Sequence, residues 1–175
     1  MEFQQVVAAR RSVRKFSDRE VPHDVLRQVL AVALQAPSSR NCRSTRFLVV
    51  RKPEIVHRMA GMRDYGAAPL AAAPAAIVVM GDRAASDLWV DNAAIAATML
   101  QLALVDAGLK SCWVHVNGRL CRKDAPEAGL AVDFLREFLP LPDSFGVLCV
   151  IALGYSDFEP KPLPEESVDR VKWME

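Results

Sequence analysis

From about Ser86 to Ala107 the chain carries a long helical pattern that closes at Gly108, a residue suited to a C-terminal helix cap. Between Ala93 and Val105 this pattern is apolar almost all round, broken only by Thr98 and Gln101. It falls short of the roughly 20 residues needed to cross a bilayer, so it is a buried helix and not a membrane span. A helix without a solvent face needs cover on every side, at the centre of the fold or in a subunit interface. The sequence favours an interface.

The cover must come from the other elements. Four short runs have strand character: Arg46 to Arg51, Ala76 to Met80 closing at Gly81, Ser111 to Val116 running into the turn Asn117-Gly118, and Phe145 to Leu153. Helical spacing marks residues 2–9 through Phe3, Val6 and Val7, and a longer segment from Pro22 to about Gln35 through Val25, Leu26, Val29, Leu30 and Ala33. Pro53 opens another, and Ala131, Phe134, Leu135, Phe138 and Leu139 a last one, stopped by Pro140 and Pro142. Helices alternating with buried strands predict an α+β or α/β sandwich. At 175 residues and 51% hydrophobic, without repeat or linker, the chain is expected to form one domain over 1–175. Its last part, 154–175, holds Pro160, Pro162 and Pro164 among charges and is expected to be an extended tail lying on another surface.

Charge and cysteine usage exclude several classes. Lysines and arginines number 22 against 21 acids, so no nucleic-acid footprint is expected, and a basic function must be local. Cys42, Cys112, Cys121 and Cys149 form no Cys-x-x-Cys pair and no apolar leader opens the sequence, which predicts a reduced, cytoplasmic protein with no membrane partner. His23, His57 and His115 are far apart, so no metal site is expected. A dinucleotide-binding glycine fingerprint, a phosphate loop and a Gly-x-Ser-x-Gly elbow are all missing.

The local basic function has an obvious candidate. Arg10-Arg11-Ser12-Val13-Arg14-Lys15-Phe16 puts four cations and a hydroxyl at the end of the first helix. Guanidinium forks match phosphate oxygens two at a time and stay charged, and Ser12 adds a donor. Between helix and strand, Ala36-Pro37-Ser38-Ser39-Arg40-Asn41 forms a polar loop of small donors.

Together with Asp91-Asn92-Ala93-Ala94, Gly108-Leu109-Lys110-Ser111-Cys112-Trp113 and Ala152-Leu153-Gly154-Tyr155, these two segments resemble the FMN-dependent nitroreductase family, in the family's order and over nearly the whole chain. The resemblance implies a nitroreductase-like sandwich with a mostly antiparallel central sheet flanked by helices. It also implies a homodimer with a domain-swapped C-terminal tail and two FMN sites at the interface, in which NAD(P)H reduces electrophilic small molecules such as quinones or nitroaromatics. By position, Arg10, Arg11, Ser12 and Arg14 resemble the contacts to FMN. Pro37, Ser38, Ser39 and Asn41 resemble the loop reaching the flavin from the partner subunit. Cys112, Trp113, Val114, His115 and Val116 match the strand passing its reactive nitrogen, and Lys161 resembles a second phosphate contact.

Three departures touch affinity and specificity: Leu163 in place of a common arginine, and Arg43 and Thr45 where many members carry Gln-Pro-Trp. The chemistry would lie mainly on the flavin. His115, standing where a small residue is usual, is expected at the substrate edge as a hydrogen-bond donor to the acceptor, with a passive strand histidine as the alternative. Two further readings stay open: a non-catalytic FMN carrier or sensor, and a helical module binding another phosphorylated ligand.

Overall fold

The computed structural model describes residues 1–161 and 170–175, so Leu163 lies outside the described residues. Five α-helices occur in them: α1 Phe3–Ala9, α2 His23–Ala33, α3 Pro53–Met59, α4 Trp89–Asp106 and α5 Ala131–Arg136. Four strands, β1 Thr45–Val50, β2 Ala75–Asp82, β3 Lys110–His115 and β4 Phe145–Gly154, pair antiparallel in the order β1-β2-β4-β3. The fold is α+β, with the β2–β4 pair at the centre and β1 and β3 at opposite edges.

Because successive side chains on a strand face opposite ways, apolar runs as continuous as β2 and β4 must be covered on both faces. Ala75, Ile77, Val79, Cys149, Ile151 and Leu153 pack under α2 and α4, with Leu26, Ala93, Ala97, Leu100 and Leu104 above them. Ala76, Val78, Val150, Ala152 and Cys112 face the opposite layer, formed by α3, α5 and the 3-10 turns near Met62 and Leu70. A register shift between Val79 and Met80 interrupts the β2–β4 ladder.

The long apolar helix divides its surface. Its inner flank is buried on the sheet, so the centre of the fold accounts for half of its apolar character. On the outer flank Ile95 is 41% exposed, and Met99 and Leu102 line a groove with Phe3, Val6, Val29 and Val32.

Two boundaries differ from the sequence pattern for local reasons. α4 begins at Trp89, not Ser86, because the Asp82 carboxylate accepts the Ala84 and Ala85 amides and Ser86 Oγ accepts that of Leu88, which makes a turn of this segment. α2 begins at His23 with Pro22 as its extended N-cap.

Trp89 closes one end of the sheet. Gly81 and Gly146 are register partners on β2 and β4, and the indole lies on both. A Cβ on Gly146 would stand 2.4 Å from the Trp89 ring and one on Gly81 2.7 Å, so the tryptophan occupies the space that two absent side chains leave.

Candidate functional site

The basic run is fixed to the free edge of β3. Ser12 forms a parallel bridge with Ser111, and the Val13 amide donates to the Ser111 carbonyl at 3.0 Å. Val13 is fully buried, which turns its neighbours Ser12 and Arg14 out to solvent. Arg11 folds back, its Nη1 donating to the carbonyls of Ala8 at 2.5 Å and Arg10 at 2.8 Å at the C-terminal end of α1. That position suits a cation, since the terminal carbonyls carry partial negative charge. Arg14 Nη1 donates to the Ser12 carbonyl at 3.1 Å. Among the described residues no carboxylate pairs with Arg10, Arg11 or Arg14, so the charge of the cluster is uncompensated by the protein.

Along β3 the side chains alternate between the two faces of the sheet. Cys112 and Val114 are buried in the α3/α5 layer, where burial pushes the Cys112 thiol up and nearby Arg14 partly offsets the shift. Trp113 and His115 share the other face, with rings stacked at 6.4 Å, and the indole N–H donates to His115 Nδ1 at 3.2 Å. An imidazole that accepts at Nδ1 carries its proton on Nε2, and the backbone of Asn117 lies within hydrogen-bonding reach of the same ring. Burial, then the charges of Arg119 and Arg63, hold His115 below its ordinary pKa against a raising hydrogen bond with the Asn117 backbone, which favours the neutral ring.

The loop residues Ser38 to Ser44 are organised by one side chain. Asn92, 2% exposed in the first turns of α4, accepts the Ser39 amide at 2.8 Å through Oδ1. Its Nδ2 lies within 3.1–3.4 Å of Ser44 Oγ, Ser39 Oγ, Cys42 Sγ and Ser86 Oγ. Ser38 Oγ accepts the Arg43 amide at 2.9 Å. Three non-glycine residues of the loop, Arg40, Asn41 and Arg43, have φ of 50°, 52° and 47°. Left-handed backbone at such residues costs on the order of 1–2 kcal/mol each, so the Asn92 hub holds a conformation the loop would not adopt alone. At Cys42 burial acts to raise the pKa, and hydrogen bonds from Ser44, Ser39 and Ser86 outweigh it and bring the thiol down to about 7. Pro37 and Asn41 are exposed.

Within one chain, then, Arg10 to Arg14 and Cys112 to His115 come together at the β3 edge. The Pro37 to Asn41 loop does not join them, because it enters β1 at the other edge of the sheet, three strand spacings or roughly 14 Å across, and at the opposite end of the strands, where Thr45 pairs with Gly81 while Ser111 pairs with Leu153. Lys161 is exposed at the limit of the described tail.

Arg63, Tyr65, Arg119 and Asn92 were not assigned a role on sequence. Asn92 carries a usable signal, a polar side chain among alanines on the inner flank of an apolar helix. Arg63, in an irregular Gly-Met-Arg-Asp-Tyr segment, has none.

The sequence model of the nitroreductase family matches residues 7–68 and 56–155. The chain belongs to that family. Members are oxidoreductases, and the chain's curated relatives carry corresponding names. A putative NADH dehydrogenase/NAD(P)H nitroreductase of Archaeoglobus fulgidus is 34% identical over 86% of this chain and 83% of its own length. One from Methanothermobacter thermautotrophicus is 30% identical over 99% and 88%. Among solved structures, an FMN-dependent nitroreductase from Clostridium difficile superposes with a TM-score of 0.89 at 35% identity, covering 96% of both chains. No helix of this nitroreductase-family chain, among the described residues, is long and apolar enough to cross a membrane.

Proposed function

We propose that the chain, one domain over 1–175, is a cytoplasmic FMN-dependent oxidoreductase that works as a homodimer and uses NAD(P)H to reduce nitroaromatics or quinones in a ping-pong cycle. For a nitro group the balance is one NAD(P)H and one proton giving the nitroso compound, NAD(P)⁺ and water. FMN, when bound, would supply the hydride chemistry between the nicotinamide and the acceptor.

The observation that carries this reading is the uncompensated Arg10, Arg11 and Arg14 cluster bonded to the open edge of β3. Arg10, with Lys161, fits the phosphate. Arg14 fits the polar edge of the ring system, and Ser12 adds an exposed hydroxyl beside it. Arg11 fits less directly, since two of its donors already serve α1. The His115 carbonyl faces out of the sheet to Arg63, so by strand alternation its N–H faces the same open edge and is available to a flavin nitrogen. A neutral His115, with Nδ1 engaged by Trp113, acts as a hydrogen-bond donor to an acceptor oxygen and not as an imidazolium acid.

Two features favour the dimer. The Pro37–Asn41 loop stands at the edge of the sheet away from Arg10 to Arg14, so it meets such a cofactor only from a second copy. The groove of Phe3, Val32, Met99 and Leu102 is apolar and open. The swapped tail belongs to the same proposal. Sedimentation of a stable flavin-loaded monomer at micromolar concentration would overturn this part.

The test is a fluorescence titration of flavin-free protein with FMN. Saturation at one FMN per chain is expected, and Arg14→Ala should weaken binding by about 1.5–3 kcal/mol, the value of a charged hydrogen bond. Unquenched FMN fluorescence at saturating protein would refute the reading in favour of a module for another phosphorylated ligand. Binding without reduction by NADH or NADPH would favour a flavin carrier.

A further inference from the structure

At the C-terminal end of β3 two more cations stand beside His115, apart from the Arg10–Arg14 cluster. Arg63 Nη1 donates to the His115 carbonyl at 2.7 Å, and its guanidinium lies 4.1 Å from the centroid of the Tyr65 ring. One nitrogen anchored and one face on an aromatic ring leave little rotational freedom, so the fork is pre-organised. Its Nε is buried without a hydrogen-bond partner, as are those of Arg11 and Arg136, so the donors left to face a ligand are the remaining Nη hydrogens. Arg119 is exposed on the turn that follows β3, close enough for its charge to act on His115. Neither arginine has an acidic partner among the described residues. The carboxylate nearest in sequence, Asp64, accepts the Lys123 amide.

We propose that Arg63 and Arg119 form an anion subsite at the acceptor edge, and that the electrophile this protein reduces bears a carboxylate. The inference rests on the flavin oxidoreductase reading and narrows its substrate class. A planar carboxylate matches the free edge of a guanidinium fixed at one nitrogen, whereas a lysine in the same place would offer only a point charge. Seating a carboxylate between Arg63 and Arg119 brings the remainder of a small aromatic acceptor to the Trp113–His115 face, where His115 Nε2–H can meet its reducible oxygen. An aromatic acid carrying a nitro or quinone oxygen meets both requirements.

Two arms test the proposal. In the first, FMN-loaded protein is assayed with 4-nitrobenzoate and with its methyl ester. The acid should be preferred in kcat/KM by ten- to a hundredfold, chiefly through KM, which is the value of one or two charged hydrogen bonds. Arg63→Gln should collapse that ratio toward one, and Arg63→Lys should restore part of it. If Arg63→Gln does not fold, Arg119→Gln, at an exposed position, should lower the ratio severalfold. Equal kcat/KM for acid and ester overturns the proposal. So does an Arg63→Gln defect confined to the KM of NADH or NADPH, which would assign the arginines to nucleotide phosphates.

The second arm is calorimetry with benzoate and methyl benzoate, neither of which can be reduced. Benzoate heat that disappears in Arg63→Gln, with none from the ester, supports the subsite even if the protein binds no flavin. Absence of benzoate binding together with a flavin-loaded, active protein sinks the inference and leaves the function standing.

Discussion

Replacing Asn92 by alanine tests whether one carboxamide holds the Ser38–Ser44 loop. The deletion strands the Ser39 amide, which loses its 2.8 Å acceptor, and removes the donor shared by Ser39, Ser44, Ser86 and Cys42. The hydroxyls can rotate toward one another, and Ser39 and Ser86 already lie 3.0 Å apart, so only the backbone donor counts in full, at about 1–3 kcal/mol. Against that stands the strain of three left-handed residues, on the order of 1–2 kcal/mol each. A loop freed from its anchor recovers part of it by relaxing. The net loss in a urea transition should therefore fall below the roughly 1–3 kcal/mol of the lost bond, and the clearer readout is local: the thiol titration of Cys42 should move up from about 7. Asn92→Asp keeps the acceptor for Ser39 and should preserve the loop while raising the Cys42 midpoint by like-charge repulsion. An unaltered Cys42 profile in Asn92→Ala would show that the loop holds its shape without the hub.

Gly146→Ala should cost about 1–3 kcal/mol, since its Cβ meets the Trp89 ring at 2.4 Å, and Trp89→Leu in the same chain should recover part of that loss; additive effects would refute the contact. Iodoacetamide should modify Cys42 first, with a rate rising through pH 7, while burial holds Cys112, Cys121 and Cys149 above their ordinary range; four thiols reacting alike would contradict this. His115 has a folded pKa below the 6.5 of the unfolded chain, so the unfolded state takes up its proton first and stability falls as pH drops through and below 6.5. His115→Asn should flatten that acid limb, and an unchanged slope between pH 7 and 5 would remove His115 as its source.

The sheet was legible because strands buried on both faces read as unbroken apolar runs, as in Ala76 to Met80 and Phe145 to Leu153. The basic run was legible because four cations within six residues are hard to place anywhere but at an anion or in water. The dual character of α4 was harder. Pattern alone says that Ala93 to Val105 is covered, and only the three-dimensional arrangement separates the flank that meets β2 and β4 from the flank left open at Met99 and Leu102. Hidden altogether were relations between distant residues. Nothing near Arg63 announces His115, 52 positions later, and no local signal ties Trp89 to Gly81 and Gly146 on two different strands.

The strand β3 carries the basic run at one end and His115 at the other, on one continuous backbone. On the proposed reading, sequence change within residues 111–115 would be felt by cofactor retention and acceptor handling at once. Arg63, Tyr65 and Arg119 approach the same place from loops outside the ladder. A mutagenesis library meant to redirect acceptor choice while keeping the protein yellow belongs at those three positions, with the strand left as it is. Divergence among natural sequences should show the same split in tempo, slow along the strand and fast at its rim.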